Sequence, residues 1–209
     1  KVENLNIDID IHENFKEENI VDLYIKHLNS IVEPKHINNS ISFVIDGGNG
    51  ALGSVIDKLE NSYNFNFKGL YMNVDGNFPN HPADPSDENN LKELKAQVIK
   101  DKKAFGVAFD GDADRAVFID NLGNLISGSL MTALVSDWLN EKKESLKIVH
   151  NVNVSPAVVK YLKEKGITTI RSKVGHSYIK QIMREEDADF GGEHSAHFYL
   201  KENFYADSG

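Results

Sequence analysis

Apolar residues recur at helical spacing between Phe15 and Val32 (Ile20, Leu23, Tyr24, Leu28, Ile31), which predicts a helix closed off by Pro34. Ahead of it, Lys1–Asn14 alternates Leu5, Ile7, Ile9 and Ile11 with Asn and Asp, the pattern of an edge strand or a linker. Ile41–Ile45 is a short β-branched run, a buried strand, which meets Asp46-Gly47-Gly48-Asn49-Gly50 and then a helix through Leu59. Leu70–Val74 predicts the next strand, and Pro79, Pro82 and Pro85 make 75–87 a loop. Leu91–Ile99 follows as helix, Phe105–Phe109 and Ala116–Ile119 as strands, Asn121–Asn124 as a turn and Leu130–Leu139 as helix. The same succession then begins again. Leu146–Val149 is a strand, and Pro156–Lys165 is a helix with Pro at its start and Gly166 past its end. Thr168–Arg171 is a strand, Ser177–Arg184 a helix, and Asp189–Gly191 with His197–Leu200 a last strand pair. Strands alternating with helices predict α/β layers with parallel pairing, in two related units that meet near residues 121–128.

The 209 residues hold 23 Lys plus Arg against 32 Asp plus Glu, a net charge of −9. Binding to nucleic acid at large rests on basic groups that neutralise phosphates, so this balance argues against it. No apolar run approaches the roughly 18 residues that span a bilayer, and no secretory signal is visible, so we expect no membrane partner. The absence of cysteine excludes a disulfide framework and a thiol nucleophile, and fits a reducing, cytoplasmic setting. The chain opens on Lys1 rather than Met and stops at Asp207-Ser208-Gly209, so both ends read as cut from something longer.

The strongest chemical feature is Asp110-Gly111-Asp112-Ala113-Asp114-Arg115. Three carboxylates at alternate positions of a short loop turn onto one point and repel one another unless a cation neutralises them. Oxygen-only ligands suit Mg²⁺ or Ca²⁺, and a three-ligand loop leaves positions open for a phosphate oxygen. Arg115 offers that phosphate a planar fork. An EF-hand fails on detail, since Arg115 stands where that loop needs Gly and Asn121 where it needs Glu. The remaining alternative is a solvated acidic turn.

A second loop, Gly191-Gly192-Glu193-His194-Ser195-Ala196-His197, gathers an acceptor, a hydroxyl and two imidazoles, a set suited to sugar hydroxyls or to proton transfer near neutral pH. Zinc on His194 and His197, or a plain polar hairpin, are the other readings; a serine hydrolase lacks its Gly-x-Ser-x-Gly. Lys173-Val174-Gly175-His176 precedes a helix N-terminus, where anions are favoured, although a lone His there is more often a cap. Finally, Gly48-Asn49-Gly50-Ala51-Leu52-Gly53 follows a strand, opens a helix and has Asp75 22 residues beyond Gly53. That matches the dinucleotide fingerprint and makes a nicotinamide oxidoreductase an alternative to a tight strand–helix turn.

Taken together, the strings at 110–115, 192–197 and 173–177, with Asp46–Gly50 and Asp75–His81, resemble the α-D-phosphohexomutases over Phe15–Gly209. The resemblance implies two related three-layer α/β/α domains with mixed sheets. Residues 13–126 correspond to that family's second domain and 127–209 to its third, truncated at its C-terminus. Residues 1–12 correspond to a linker from a missing first domain, and a fourth domain is also missing. It favours a plain turn at Gly48–Gly53. It further implies transfer of a phosphoryl group between O6 and O1 of mannose or glucose, through a phosphoserine enzyme and a 1,6-bisphosphate. Asp110, Asp112 and Asp114 would hold Mg²⁺ and Arg115 would touch the reacting phosphate. Lys173, Glu193 and Ser195 would bind the hexose phosphate, and His176 and His197 would move or position protons. The family's nucleophilic Ser-His-Asn-Pro string is absent, so this chain alone is expected to be inactive. Asn153 stands where relatives often carry Lys, and His194 where Met is usual. A non-catalytic sugar-phosphate-binding domain is the alternative.

Overall fold

The computed structural model describes residues 18–209. The expected edge strand or linker at Lys1–Asn14 and the start of the first helix lie outside them. That helix, α1, runs Val21–Ile31, with Asn19 Oδ1 accepting from the Val21 N–H. β1 (Ser42–Asp46), α2 (Ile56–Tyr63), β2 (Asn66–Leu70), α3 (Lys92–Lys100), β3 (Phe105–Phe109), β4 (Ala116–Asp120) and β5 (Leu125–Ile126) complete a first unit. The sheet order is β2-β1-β3-β4-β5, parallel across β2-β1-β3 and antiparallel from β3 to β5.

The second unit has α4 (Gly128–Asn140), β6 (Lys147–Asn151), α5 (Pro156–Glu164), β7 (Thr168–Ser172), α6 (His176–Glu185), β8 (Phe190–Gly192), β9 (Phe198–Leu200) and β10 (Asp207–Ser208). Its order, β7-β6-β8-β9-β10, repeats that of the first unit with the same mixture of parallel and antiparallel pairs. The echo in the sequence pattern is thus an identity of topology.

Both sheets are covered on both faces. Successive residues of β1 point to opposite sides. Val44 packs with Leu94 and Val98 of α3, and Ile45 with Leu52 and Ile56 below α2. In the second sheet Ile148 packs with Leu162 of α5, and Val149 with Ile179 and Met183 of α6. The apolar runs Phe43–Ile45 in β1 and Phe105–Phe109 in β3 follow from this two-sided burial.

One predicted strand moves. The expected Leu70–Val74 is observed as Asn66–Leu70, because Tyr71 takes a left-handed backbone (φ 54°) and leaves the sheet. As an edge strand, β2 keeps Asn66 and Lys68 exposed, so polar residues sit where an apolar run was sought. The helix expected after Gly50 opens as a 3₁₀ turn over Ala51–Ser54 before α2. Among the described residues no helix is long and apolar enough to cross a membrane.

The two units join near the ends of β3 and β8. Ala196 and Phe198 pack against the first unit's core, and the Ala116 N–H donates to Ala196 O at 3.2 Å. Arg115 and His197 form an antiparallel bridge.

Candidate active site

β3 delivers Asp110 directly at its C-terminal end, and the chain returns as β4 from Ala116. The reversal is a tight turn in which the Ala113 N–H donates to Asp110 O at 3.2 Å and Ala113 adopts φ 62°. The carboxylate oxygens of Asp110, Asp112 and Asp114 lie within 4.8 Å of one another, the first buried, the second exposed and the third half-buried. Among the described residues this is the one group of three His, Asp or Glu side chains close enough to share an ion. Burial, then the hydrogen bond and charge of Asp110, push the Asp114 carboxyl up to about 6. A crowded, oxygen-only donor set whose charge is held back in this way fits a hard divalent cation. Arg115 is held on three sides: its N–H and Nε donate to Asp110 at 3.0 and 2.6 Å, and Nη1 donates to Asp84 at 3.0 Å.

The loop between β8 and β9 is built on the same turn. The Ala196 N–H donates to Glu193 O at 3.2 Å and Ala196 adopts φ 69°. Glu193 therefore holds in the second unit the place of Asp110 in the first. It is 3% exposed, accepting from Asn151 Nδ2 and from the Tyr199 hydroxyl, both at 2.7 Å. Burial, reinforced by Glu193, pushes the Tyr199 phenol strongly up and keeps it a donor. Tyr199→Phe removes that donor from a buried carboxylate and is expected to cost about 2 kcal/mol, measured by urea unfolding. Gly128, at the start of α4, is tied to this loop by space: a Cβ there would lie 2.5 Å from Glu193 O and 2.8 Å from the Ala196 nitrogen.

His197 connects the loops. Its Nδ1 is 2.9 Å from Ser195 Oγ and 3.4 Å from Glu193 Oε2, and its Nε2 is 3.4 Å from Asp114 Oδ1. A hydrolytic triad places Ser and acid on opposite ring nitrogens. Here Ser195 and Glu193 share Nδ1, and the acid on Nε2 is Asp114, one of the three clustered carboxylates. His194 Nδ1 lies 2.9 Å from Ser129 Oγ, so the two imidazoles of the zinc alternative meet different neighbours.

The remaining predicted residues lie apart. Lys173 is exposed, its ammonium 5.6 Å from the Tyr178 ring. His176 is 65% exposed and faces Asp207 and Lys180, each at 3.5 Å. Burial opposes ionisation of Asp207, but Lys180 outweighs it and holds the carboxyl below its usual range. Among the described residues, no hydrogen bond or ion pair joins Lys173 or His176 to the Asp loop. Asn153 gives its N–H to Asn151 Oδ1 at 3.1 Å.

Gly50, in the apparent dinucleotide fingerprint, has φ −88°, which any residue adopts. It is glycine for space, since a Cβ would lie 2.7 Å from Gly111 O and 2.9 Å from Asp110 O. The glycine turn thus cradles the Asp loop's backbone. Asn151, Asp84 and the Asp46–His81 pair escaped sequence reasoning because each meets its partner only across the fold, and Tyr199 because its phenol meets Glu193 only through the β8–β9 turn.

Two mixed α/β/α units, each ending its third strand in the same acidic turn, bring those turns together through the Arg115–His197 bridge. Residues 22–123 match the family described as Phosphoglucomutase/phosphomannomutase, alpha/beta/alpha domain II, and 127–209 match its alpha/beta/alpha domain III. The chain is 36% identical over 212 residues to a phosphomannomutase of Vibrio cholerae, covering 97% of this chain and 45% of that protein. It is 36% identical over 204 residues to a phosphomannomutase of Escherichia coli K12, covering 93% and 44%. A crystal structure of a phosphoglucomutase/phosphomannomutase family protein from Burkholderia thailandensis superposes with a TM-score of 0.84 at 28% identity, covering 93% of this chain and 42% of that one. The chain belongs to the phosphoglucomutase/phosphomannomutase family. It spans less than half the length of these relatives.

Proposed function

We propose that this chain is the metal- and sugar-binding part of a magnesium-dependent phosphohexomutase that interconverts hexose 6-phosphate and hexose 1-phosphate. The observation that carries the reading is the meeting of the two loops, with His197 Nε2 3.4 Å from Asp114 Oδ1. Asp110, Asp112 and Asp114 would hold Mg²⁺, which when bound supplies positive charge beside a transferring phosphoryl group. Arg115, already oriented by Asp110, keeps Nη2 for a phosphate oxygen. Ser195 is exposed and meets sugar hydroxyls. Glu193, with its oxygens held by Asn151 and Tyr199, sets the loop that carries Ser195 and His197. His197, between Ser195 and Asp114, would move or position protons. Lys173 and His176 belong to this reading as distal phosphate contacts. The nucleophilic serine and the fourth phosphate-clamping domain lie outside these residues, and the setting is cytoplasmic.

The test is a titration of the isotopically labelled chain with MgCl₂ and then with glucose 1,6-bisphosphate, followed by backbone NMR. We expect shifts at 110–115 with metal and at 193–197 with sugar. Shifts confined to other surfaces would overturn the reading. The purified 209-residue chain should show no mutase turnover, and measurable turnover would refute that part.

A further inference from the structure

We infer that Asp46 and His81 form a clasp that positions Arg115 through Asp84, making all three positioning residues for the phosphate-binding arginine. The inference rests on the role proposed above for Arg115, but its geometry stands independently. Asp46 is the last residue of β1, beside β3, and its side chain is 1% exposed. A carboxylate so placed needs partners. One is the Gly48 N–H, at 2.9 Å. The other is His81, on the proline-rich loop 75–87, whose Nε2 lies 3.1 and 3.3 Å from the two Asp46 oxygens.

His81 Nδ1 faces the Pro82 carbonyl at 2.8 Å, so that nitrogen carries a proton. The ring is thus fixed at both nitrogens, and the Tyr71 ring packs edge-on against it, 5.3 Å between centroids. Asn80 adds a second tie, donating to Asn49 Oδ1 at 2.7 Å.

Three residues after His81 comes Asp84. Its Oδ1 accepts from Arg115 Nη1 at 3.0 Å, and its backbone oxygen accepts from Asn90 Nδ2 at 2.8 Å. Asp110 fixes the Nε side of the guanidinium, at 2.6 Å, and Asp84 fixes one terminal nitrogen. A planar group held at two corners has one orientation left, which aims its remaining nitrogen. Without the clasp, Asp84 would be held only by Asn90, by its own turn with Ser86 and by the Asn80–Asn49 tie, on a loop whose side chains are largely solvent-exposed.

The chain has three arginines, so the Arg115 Nε–H gives one of three assignable NMR signals, identified by its loss in Arg115→Lys. We expect hydrogen exchange at that Nε–H to quicken roughly tenfold in Asp84→Ala and in His81→Leu, as guanidinium contacts loosen. His81→Gln, which keeps a donor toward Asp46, should restore much of the protection. The β1 and β3 amides should stay protected in all three. Unchanged Arg115 exchange in a folded His81→Leu protein would overturn the proposal. If His81→Leu does not fold, Asn80→Ala loosens the same loop from an exposed position, and unchanged exchange there would overturn it equally. A wild-type chain that fails to bind Mg²⁺ sinks the functional reading but leaves this measurement able to decide the clasp.

Discussion

Asp112→Ala should lower magnesium affinity at least about tenfold, the loss of roughly 1.4 kcal/mol from one of three carboxylate ligands, with no change in fold. Asp112 is exposed, so the variant chiefly removes its charge. Isothermal titration with MgCl₂ reads the change. Asp114→Asn should behave differently. Its carboxyl is pushed up from 3.8 to about 6 by burial and by Asp110. For this group the folded value exceeds the unfolded one. Its favourable contribution to folding is therefore complete below 3.8 and lost as pH rises through about 6. At pH 7 the ionised Asp114 destabilises the metal-free chain, by about 1 kcal/mol once solvent screening is allowed for. Asp114→Asn should accordingly raise the melting temperature in chelator at pH 7 and abolish the further rise that Mg²⁺ gives the parent protein. A variant that melts lower in chelator, with its magnesium response intact, would contradict both the charge crowding and the ligand assignment.

Gly50→Ala should destabilise the chain by about 2 kcal/mol, lowering its melting temperature by about 5 °C, and weaken magnesium binding as well. The new Cβ would meet Gly111 O at 2.7 Å, Asp110 O at 2.9 Å and the Gly111 carbonyl carbon at 3.1 Å. All three are backbone atoms, so no side-chain rotation relieves the contact, and the strain passes into the turn that aims the carboxylates. A dinucleotide-binding glycine would instead leave magnesium affinity untouched when substituted. Parallel melting and metal titration of the variant separate these outcomes.

The features legible in the sequence are those whose cause is local. Buried strands such as β1 and β3 read as apolar runs because both their faces are covered, and the Asp loop reads as a candidate cation site because its three carboxylates lie within five residues. β2 was misplaced because an edge strand needs few apolar residues, and β10 was missed because two polar residues carry no pattern. The support of the site is non-local: Asn151 reaches Glu193 across 42 residues, and His81 reaches Asp46 across 35. No periodicity marks such pairs. They arise from strand order, which sets Asn151 and Asp46 at the same corner of their respective sheets.

The bridge between Arg115 and His197, with the Ala116-to-Ala196 hydrogen bond, fastens the two loops main chain to main chain. The spacing between the acidic trio and the imidazole is therefore a property of the backbone rather than of the side chains that span it. If the rest of a larger enzyme opens and closes around its sugar, this pair of loops travels as one rigid jaw. Side-chain replacements at His197 or Asp114 then leave the main-chain register of the two loops in place.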